Sequence, residues 1–442
     1  MSRSVADTPP RSPSGIAARR AALVALQRVE EDRAWSNLAV PEAVADLVDV
    51  RDRAFAAHLA YETLRWEGTL DAALALVLSR PLAEVEPGLR RVLRLGATQL
   101  LISDVPARAA VDTSVQLARQ AVPKGRSAGA AGFVNGVLRA LARRDGDLAW
   151  PDREQDPVRH LALRTAHPDW VVADLLPRYG VERTGAILAA DDLAPGVTLR
   201  ANVAREALLA ELAAVGVTAR VGATPVSVRA PGADPRTLSA VAEGRAVVQD
   251  EASVRVALAC GVSEGDRVLD LCAGPGGKAT HLAHLAGPAG QVVAVELHAH
   301  RAQLISDAAA RQGVTIDVRV GDARTPPIAP EERFDVVLLD APCTGLGTGR
   351  RRPEVRWRRT PQDATDLAEL QGELLRAAAD RLAPAGVLTY AVCTWTAAET
   401  TAVVERFAAK AAARRLTATG TTQLLPDTDD TDGMFIATWQ AG

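Results

Sequence analysis

Two cysteines near a carboxylate are the residues of this sequence best suited to covalent chemistry. Cys343 follows the apolar segment Phe334–Asp340, and Cys393 ends a second apolar segment, Gly386–Cys393. A lone cysteine at the end of an apolar strand is usually an inert, small hydrophobic residue. Two cysteines at the ends of neighbouring strands, each followed by Thr, favour a reactive pair over that interpretation.

A thiolate beside a carboxylate suits the methylation of a pyrimidine base. Carbon 5 of cytosine is a poor nucleophile until a thiolate adds to carbon 6, which makes carbon 5 enamine-like and able to attack a methyl group. A free thiol with a pKa of about 8.5 is mostly protonated at neutral pH, so such a site must favour the anion. Asp340 could hydrogen-bond or protonate ring nitrogen 3, and the second cysteine could help to release the product.

A Gly-rich turn follows an apolar strand, Arg267–Cys272, in the same region of the sequence. Glycines let the backbone approach a ligand closely, and the predicted helix after the turn offers free N–H groups. A phosphate-binding P-loop is disfavoured, because it would need Gly at position 272 and Ser or Thr at position 279. The turn therefore predicts a nucleotide-like cofactor, held by Cys272, Ala273, Gly274, Pro275, Gly276, Gly277 and Lys278.

Two further acidic residues follow the next predicted strands. Glu296 closes Gln291–Glu296, where a carboxylate can accept hydrogen bonds from both ribose hydroxyls. Asp322 follows Asp317–Val320, a position from which it could reach an adenine amino group, although an exposed turn aspartate is an equal alternative. These positions favour an adenosine-containing cofactor, and a nicotinamide dehydrogenase stays open on the turn and carboxylates alone.

The elements that position these residues change in type along the chain. Residues 17–145 show helical periodicity, with Leu23, Leu26 and Val29 on one face, and predict an all-α domain. Residues 155–244 predict a small α+β subdomain. From 245 to 442, five short apolar strands alternate with helices, which is typical of a doubly wound, Rossmann-like α/β sheet.

Composition limits the class of protein. The 442 residues carry a formal net charge of −3, so any nucleic-acid surface must come from local clustering of basic residues. Four cysteines without CxxC or matching His spacing indicate neither a zinc site nor a disulfide framework, and we expect no bound metal. We also expect a disordered tail at 1–16, no signal peptide, no membrane span and a cytoplasmic location.

These motifs together resemble the Sun-type family of RNA (cytosine-C5) methyltransferases over nearly the whole chain. The similar segments are Val248–Ser253, the turn from Cys272, and Asp340-Ala-Pro-Cys343 with Gly345. The resemblance implies that S-adenosylmethionine is the cofactor, and that the turn with Glu296, Asp322 and Asp340 binds it. It also implies that Cys393 is the nucleophile and that Cys343 assists product release.

The chain departs from the family pattern at two positions. Val392 stands before the proposed nucleophile where the family usually has Thr, and Glu296 stands where Asp is common. The longer side chain at 296 could shift the ribose contact. DNA cytosine methylases, by contrast, use the cysteine that corresponds to Cys343 as the nucleophile, and the presence of Cys393 argues for the RNA-type arrangement.

The helical domain is similar to the NusB RNA-binding fold, notably in Gly132–Arg139. That resemblance implies 16S ribosomal RNA as the substrate and a monomeric enzyme. Arginine combines phosphate contact with stacking on bases, so a cluster around Trp357 is the predicted RNA-binding segment. A solvated loop paired with acids is the alternative for this cluster of Arg350, Arg351, Arg352, Arg356, Arg358 and Arg359.

Three functions remain open from the sequence. A methyltransferase acting on 16S rRNA, or on another RNA such as tRNA, needs both rim cysteines, whereas a dehydrogenase needs neither. A catalytically silent RNA-binding ribosome assembly factor would keep the helical domain and the arginines but could lose either thiol. Both thiols are present.

Overall fold

The protein is described here by a computed structural model that covers residues 15–442. The predicted tail lies outside the described residues except at its last two positions, and the first helix begins at Ile16. Two compact units make up the structure. One comprises the described residues to Ala173 with Arg351–Trp357, and the other comprises Asp174–Arg350 and Arg358–Gly442. The domain boundaries 17–145, 155–244 and 245–442 stay predictions.

All the regular secondary structure in the described residues of the first unit is helical, as the 3.6-residue periodicity predicted. Leu59, Leu93 and Leu138 are fully buried in its core, and Leu26 and Val29 are almost fully buried. Several of the turns that separate its helices contain proline, at Pro81, Pro106 and Pro123. Its helices are α1 (Ile16–Glu31), α2 (Ser36–Ala43), α3 (Val50–Arg65), α4 (Glu67–Ala75), α5 (Pro87–Leu101), α6 (Ala107–Gln120), α7 (Ser127–Ala142) and α8 (Pro157–Arg164).

A small α+β subdomain begins the second unit. It follows α9 (Asp169–Asp191), a helix that is interrupted at Gly180, where φ is 71°. The four strands pair antiparallel in the order β2-β3-β1-β4, and α10 packs Leu208 and Leu212 into their core. The elements are β1 (Thr198–Ala201), α10 (Arg205–Ala214), β2 (Arg220–Val221), β3 (Ser227–Arg229), α11 (Ser239–Ala242) and β4 (Ala246–Val248).

The larger sheet has seven strands in the order β10-β11-β9-β8-β5-β6-β7, of which the five from β9 to β7 run parallel. The Rossmann-like fold is thus confirmed, with an antiparallel edge of two strands that the sequence pattern did not predict. The elements of this part of the chain are α12 (Glu251–Ala259), β5 (Arg267–Leu271), α13 (Gly277–Ala286), β6 (Gln291–Glu296), α14 (Ala299–Gln312), β7 (Asp317–Val320), β8 (Phe334–Asp340), α15 (Val355–Arg358), α16 (Pro361–Ala379), β9 (Leu382–Val392), α17 (Thr401–Ala413), β10 (Leu416–Leu424), α18 (Pro426–Asp429) and β11 (Met434–Ala441). The first three residues of α15 belong to the helical unit.

Helices cover both faces of this sheet, which explains why its central strands are nearly continuous apolar runs. Val268 and Leu338 face the layer that includes Leu282 of α13. Leu269 faces the opposite layer, which includes Leu375 of α16. Within the described chain, no helix is both long and apolar enough to cross a lipid bilayer.

A buried arginine joins the small subdomain to the larger sheet. Arg200 of β1 is fully buried and donates to the side chains of Gln249 and Gln312, to the hydroxyl of Thr280 and to the carbonyl of Gly277 at 2.7–3.2 Å. These acceptors are neutral oxygens, and burial lowers the pKa of Arg200 to about 10. Hydrogen bonds, and not an ion pair, therefore hold this cation.

We expect Arg200→Met to lower the free energy of unfolding by roughly 2–4 kcal/mol. The change leaves several buried acceptors without a donor, and the relief from burying a charge offsets only part of that cost. Denaturant titration followed by circular dichroism measures the change. Arg220→Met, at an exposed position of β2, is the matched control. Equal stability of the two variants would contradict the assigned role.

Candidate active site

The parallel pairing of β8 with β9 brings the two predicted reactive loops to the same edge of the sheet. Asp340, the last residue of β8, lies opposite Ala391 of β9. The loop with Cys343 and the loop with Cys393 therefore leave adjacent strands at their carboxyl ends. The Sγ atoms of the two cysteines are 3.3 Å apart, and both residues are partly exposed.

The two thiols differ in acidity. The hydrogen bond from Cys343 lowers the pKa of Cys393 more than burial raises it; the charge of Lys278 adds to the lowering, and that of Asp340 opposes it. The same hydrogen bond raises the pKa of Cys343 well above its usual range, together with burial and the negative charges of Cys393, Glu399 and Asp340. Cys393 is thus the favoured thiolate, and Cys343 is the thiol that donates to it.

Lys278 and Asp340 form an ion pair beside these thiols. The Lys278 Nζ lies 2.7 Å from Asp340 Oδ2, and both side chains are mostly buried. Burial alone would lower the pKa of Lys278, but the charge of Asp340 and its hydrogen bond raise it. Lys278, predicted as part of the cofactor turn, thus supplies a fixed positive charge next to the predicted nucleophile.

Asp270, on β5 just before the turn, was missed in the sequence analysis. It is fully buried, and neither carboxyl oxygen has a hydrogen-bond partner among residues 15–442. Burial raises its pKa well above the usual range, and the charge of Asp340 adds to the increase. A charged residue inside the apolar run 268–271 was the signal that could have identified it, because an unpaired buried carboxyl group suggests a missing partner.

The Gly-rich turn has the strained backbone that its glycines permit. Gly276 adopts φ 102°, and a Cβ there would lie 3.0 Å from the Cα of Ile305 in α14. Cys272 also has positive φ, at 69°, and the Gly274–Pro275 bond is cis. Burial raises the pKa of Cys272, so its thiol packs as a neutral group. Helix α13 then starts at Gly277, with its free N–H groups at the turn.

Glu296 lies against this turn. Its carboxylate is almost fully buried and accepts hydrogen bonds from the backbone N–H groups of Gly274 and His298, each at 3.1 Å. A Cβ at residue 274 would lie 2.3 Å from Glu296 Oε2, so this close contact requires glycine. This protein has Glu at position 296 where the family commonly has Asp, and the longer side chain reaches back to the turn.

Asp322 has a local partner. Its carboxylate accepts hydrogen bonds from the backbone N–H and the guanidinium of Arg324 at 2.6–3.1 Å. The hydrogen bonds from Arg324 lower the pKa of Asp322. Asp322 is half-buried at the end of β7, and its predicted adenine contact stays a prediction.

The arginines of segment 350–359 differ in exposure. Arg350 is nearly buried and pairs with Asp430 at 3.1 Å, and Arg356 is fully buried. These two side chains are buried, so they expose little surface to which an RNA phosphate could bind. The half-buried members are Arg351, Arg352, Arg358 and Arg359.

Arg352 and Arg359 are half-buried arginines of this segment that contact an aromatic ring and a backbone carbonyl, respectively. The guanidinium of Arg352 lies over the ring of Trp35, 5.2 Å from its centroid. Arg359 donates from Nε to the carbonyl of Thr344, the residue after Cys343, at 3.0 Å. RNA binding by this segment stays a prediction.

No metal centre is evident in the described part of the chain. Residues 15–442 contain no group of three or more His, Cys, Asp or Glu side chains arranged to hold a metal ion. The site is instead built from two thiols, an ion pair and buried carboxyl groups.

Family models match three consecutive parts of the chain. Residues 16–143 match the NusB family, residues 167–230 match the ferredoxin-like domain of RsmF/B-like methyltransferases, and residues 257–440 match 16S rRNA methyltransferase RsmB/F. The three matches follow the order of the helical region, the small subdomain and the larger sheet.

Curated relatives are similar over most of their length. A putative methyltransferase of Mycobacterium tuberculosis is 43% identical over 88% of this chain and 85% of its own. The probable ribosomal RNA small subunit methyltransferase B of Bacillus subtilis is 34% identical over 95% of this chain and 97% of its own length. The methyltransferase B of Pseudomonas syringae is 36% identical over 90% and 88%.

Solved structures share the fold. The crystal structure of PH0851 covers 98% of this chain and 100% of its own, with a TM-score of 0.81 and 24% identity. The match with NSun6 from Pyrococcus horikoshii, solved with SFG, covers 62% of this chain and 98% of that chain, with a TM-score of 0.56 and 20% identity.

We expect Lys278→Met to shift the alkylation of Cys393 to higher pH. The charge of Lys278 lowers the pKa of Cys393, so its removal raises that pKa. Since the thiolate exists above the pKa, each unit of increase lowers the reaction rate at neutral pH about tenfold. Iodoacetamide labelling of Cys393 across a pH series measures the shift. Lys410→Met, on the exposed face of α17, is the control, and an unchanged midpoint would contradict the prediction.

Proposed function

We propose that this protein methylates carbon 5 of a cytosine in 16S rRNA through a covalent adduct with Cys393. The proposal starts from its family, because the chain belongs to the RsmB/F family of 16S rRNA methyltransferases. The observation that carries the proposal is the hydrogen-bonded pair of sulfur atoms, Cys343 Sγ and Cys393 Sγ, 3.3 Å apart. This arrangement supplies a stabilised thiolate next to a second thiol, as base methylation through carbon 6 requires.

The residues around the turn fit S-adenosylmethionine, which supplies an electrophilic methyl group when bound. The open glycines and the N-terminus of α13 can accommodate its polar end, and Asp270 offers an unpaired carboxyl group for its ammonium. Glu296, Asp322 and Asp340 complete the proposed set that holds the cofactor. The buried, unpartnered oxygens of Asp270 support this fit independently of the family.

In the proposed reaction, the thiolate of Cys393 forms a bond to carbon 6, and the electron pair of the carbon 5–carbon 6 double bond becomes available at carbon 5. Asp340, held by Lys278, contacts the base at ring nitrogen 3 and stabilises the adduct. After methyl transfer, a base, either water or a basic group of the protein, takes the carbon 5 proton. The electron pair of that C–H bond restores the carbon 5–carbon 6 double bond, and Cys393 leaves with the electron pair of the C–S bond as a thiolate. Cys343 donates a hydrogen bond to that leaving sulfur and thereby assists release.

The target cytosine must be unstacked to reach sulfur atoms at the edge of the sheet, which costs a few kcal/mol and is easiest in looped RNA. Arg350, Arg358 and Arg359 of the predicted RNA-binding segment lie in the same unit as the cysteines, and of these three only Arg350 is buried. Arg358 and Arg359 are half-buried. Through its contact with Thr344, Arg359 adjoins the Cys343 loop. We assign these two arginines to the RNA close to the target base, with the protein acting as a monomer.

The helical unit offers a second surface for RNA. A groove of about 390 Å³ between α6 and α7 is lined by Arg108, Arg139 and Arg143, with Asp112 as its acidic residue. All three arginines are exposed, and neither Arg139 nor Arg143 forms an ion pair with a described residue. This basic groove supports an RNA-binding role for the unit.

We expect Cys393→Ala to abolish methyl transfer from tritiated S-adenosylmethionine to unmodified 16S rRNA. Cys343→Ala retains adduct formation but releases product more slowly, by about 10²- to 10⁴-fold, so a protein–RNA adduct accumulates on denaturing gels. Bisulfite sequencing locates the product, and Cys260→Ala controls for loss of a buried thiol elsewhere.

The reverse pattern, with Cys393→Ala active and Cys343→Ala inactive, would assign the nucleophile to Cys343. Methyl transfer to tRNA but not to 16S rRNA would identify tRNA as the substrate. If the wild type transfers no methyl group to any RNA, the chain is a silent binding factor.

We expect the double variant Arg139→Gln/Arg143→Gln to weaken RNA binding about tenfold and to flatten the dependence of log Kd on log salt. Loss of two phosphate contacts reduces counterion release, so the salt slope falls by about one to two. Fluorescence anisotropy with a labelled 16S rRNA fragment measures both quantities. Arg51→Gln/Arg119→Gln removes the same charge from exposed positions of α3 and α6, and equal effects of the two double variants would exclude a specific role for the groove.

A further inference from the structure

Glu399 is a buried carboxylate outside the set of residues assigned above. It lies six positions after Cys393, just before α17, and its side chain has no exposed surface. No lysine or arginine forms an ion pair with it in the part of the chain that the structure describes. A buried carboxylate without a counter-ion is costly unless hydrogen bonds replace its water.

Four hydrogen bonds fill that role, of which three come from the two cysteine loops and one comes from Gln371 of α16. Thr344, next to Cys343, donates its backbone N–H to Oε1 at 2.8 Å and its hydroxyl to Oε2 at 2.6 Å. Thr396, on the loop after Cys393, donates its hydroxyl to Oε2 at 2.8 Å. A single carboxylate therefore bridges the two loops that bring the sulfur atoms together.

The bridge is anchored to the interior of the domain. Gln371 of α16 donates from Nε2 to Glu399 Oε1 at 3.1 Å and to the carbonyl of Pro342 at 2.9 Å. The hydroxyl of Tyr390, in β9, lies 2.7 Å from the Glu399 backbone carbonyl and 2.9 Å from Gln371 Oε1. These contacts restrict the movement of both loops relative to the sheet.

The charge of Glu399 has a further effect, because it acts unequally on the two sulfurs. Hydrogen bonding to Cys393 and burial raise the pKa of Cys343, and the charge of Glu399 adds to that increase. The groups with the largest effects on the pKa of Cys393 are Cys343, Asp340, Lys278 and Asp432, and Glu399 is not one of them. A neutral glutamine could bridge the loops, but only a carboxylate also disfavours a thiolate at Cys343.

We propose that Glu399 is a positioning residue that clamps the Cys343 and Cys393 loops together and makes Cys393, rather than Cys343, the nucleophilic sulfur. The inference rests on the proposed function, since it concerns the choice of nucleophile in that reaction. Glu399 acts through the threonines and sulfurs and does not itself touch the base.

The test compares the two thiols in wild type and Glu399→Gln, using full-length protein without RNA or cofactor. The glutamine keeps the size of the side chain, and the hydroxyls of Thr344 and Thr396 can turn to accept from its amide. Iodoacetamide labelling over roughly pH 6 to 9 is followed at each cysteine by peptide mass spectrometry. We expect the ratio of Cys393 to Cys343 labelling to fall about tenfold, as for one unit of relative pKa.

Glu405→Gln, at an exposed position of α17, is the matched control and should leave the ratio unchanged. Thr396→Val keeps the charge and removes one hydrogen bond, and we expect an intermediate fall of about threefold. This second variant keeps the proposal testable if Glu399→Gln does not fold. A wild-type ratio in the folded variants would overturn the proposal.

Labelling requires neither RNA nor methyl transfer, so its outcome is independent of the proposed function. Methyl transfer by the wild type, measured on 16S rRNA, tests that function separately. A shifted ratio in Glu399→Gln supports the positioning role even if the substrate proves to be a different RNA.

Discussion

The parallel register of β8 against β9 is the constraint on which the site depends. Neighbouring strands lie about 4.8 Å apart, so two loops that leave them at the same edge start within one strand spacing of each other. Asp340 pairs with Ala391, and Cys343 and Cys393 follow these paired residues by three and two positions, respectively. If β9 were shifted by one residue relative to β8, its side chains would point to the opposite face of the sheet, and the two thiols would be separated.

Charge distribution then distinguishes two chemically identical side chains. Lys278 stabilises negative charge on Cys393, while Glu399 disfavours it on Cys343, and the hydrogen bond between the sulfurs couples both effects. Glu399 is fully buried and the side chain of Lys278 is only 13% exposed, so each charge is screened less than a surface group would be. The difference in acidity between the thiols is thus a property of their surroundings, which the loops and helices hold in place.

Three fully buried, ionisable side chains of this domain differ in their hydrogen-bond partners. Arg200 and Glu399 are both fully buried without a counter-ion, and each is satisfied by several neutral hydrogen-bond partners. Asp270 is equally buried but has no partner among the described residues. Asp270 lies next to the Gly-rich turn, where a bound ligand would supply the missing hydrogen-bond partner.

The sequence alone determined the order of domains, the helical unit, the parallel strands and the reactive residue types, because periodicity and turn residues are local properties of the chain. It also indicated the turn from Cys272 to Lys278. It did not reveal the antiparallel edge strands, the ion pair of Lys278 with Asp340, the burial of Arg350 and Arg356, or Glu399. Those features depend on side chains far apart in sequence, and only the packed sheet decides which of them meet and which are desolvated.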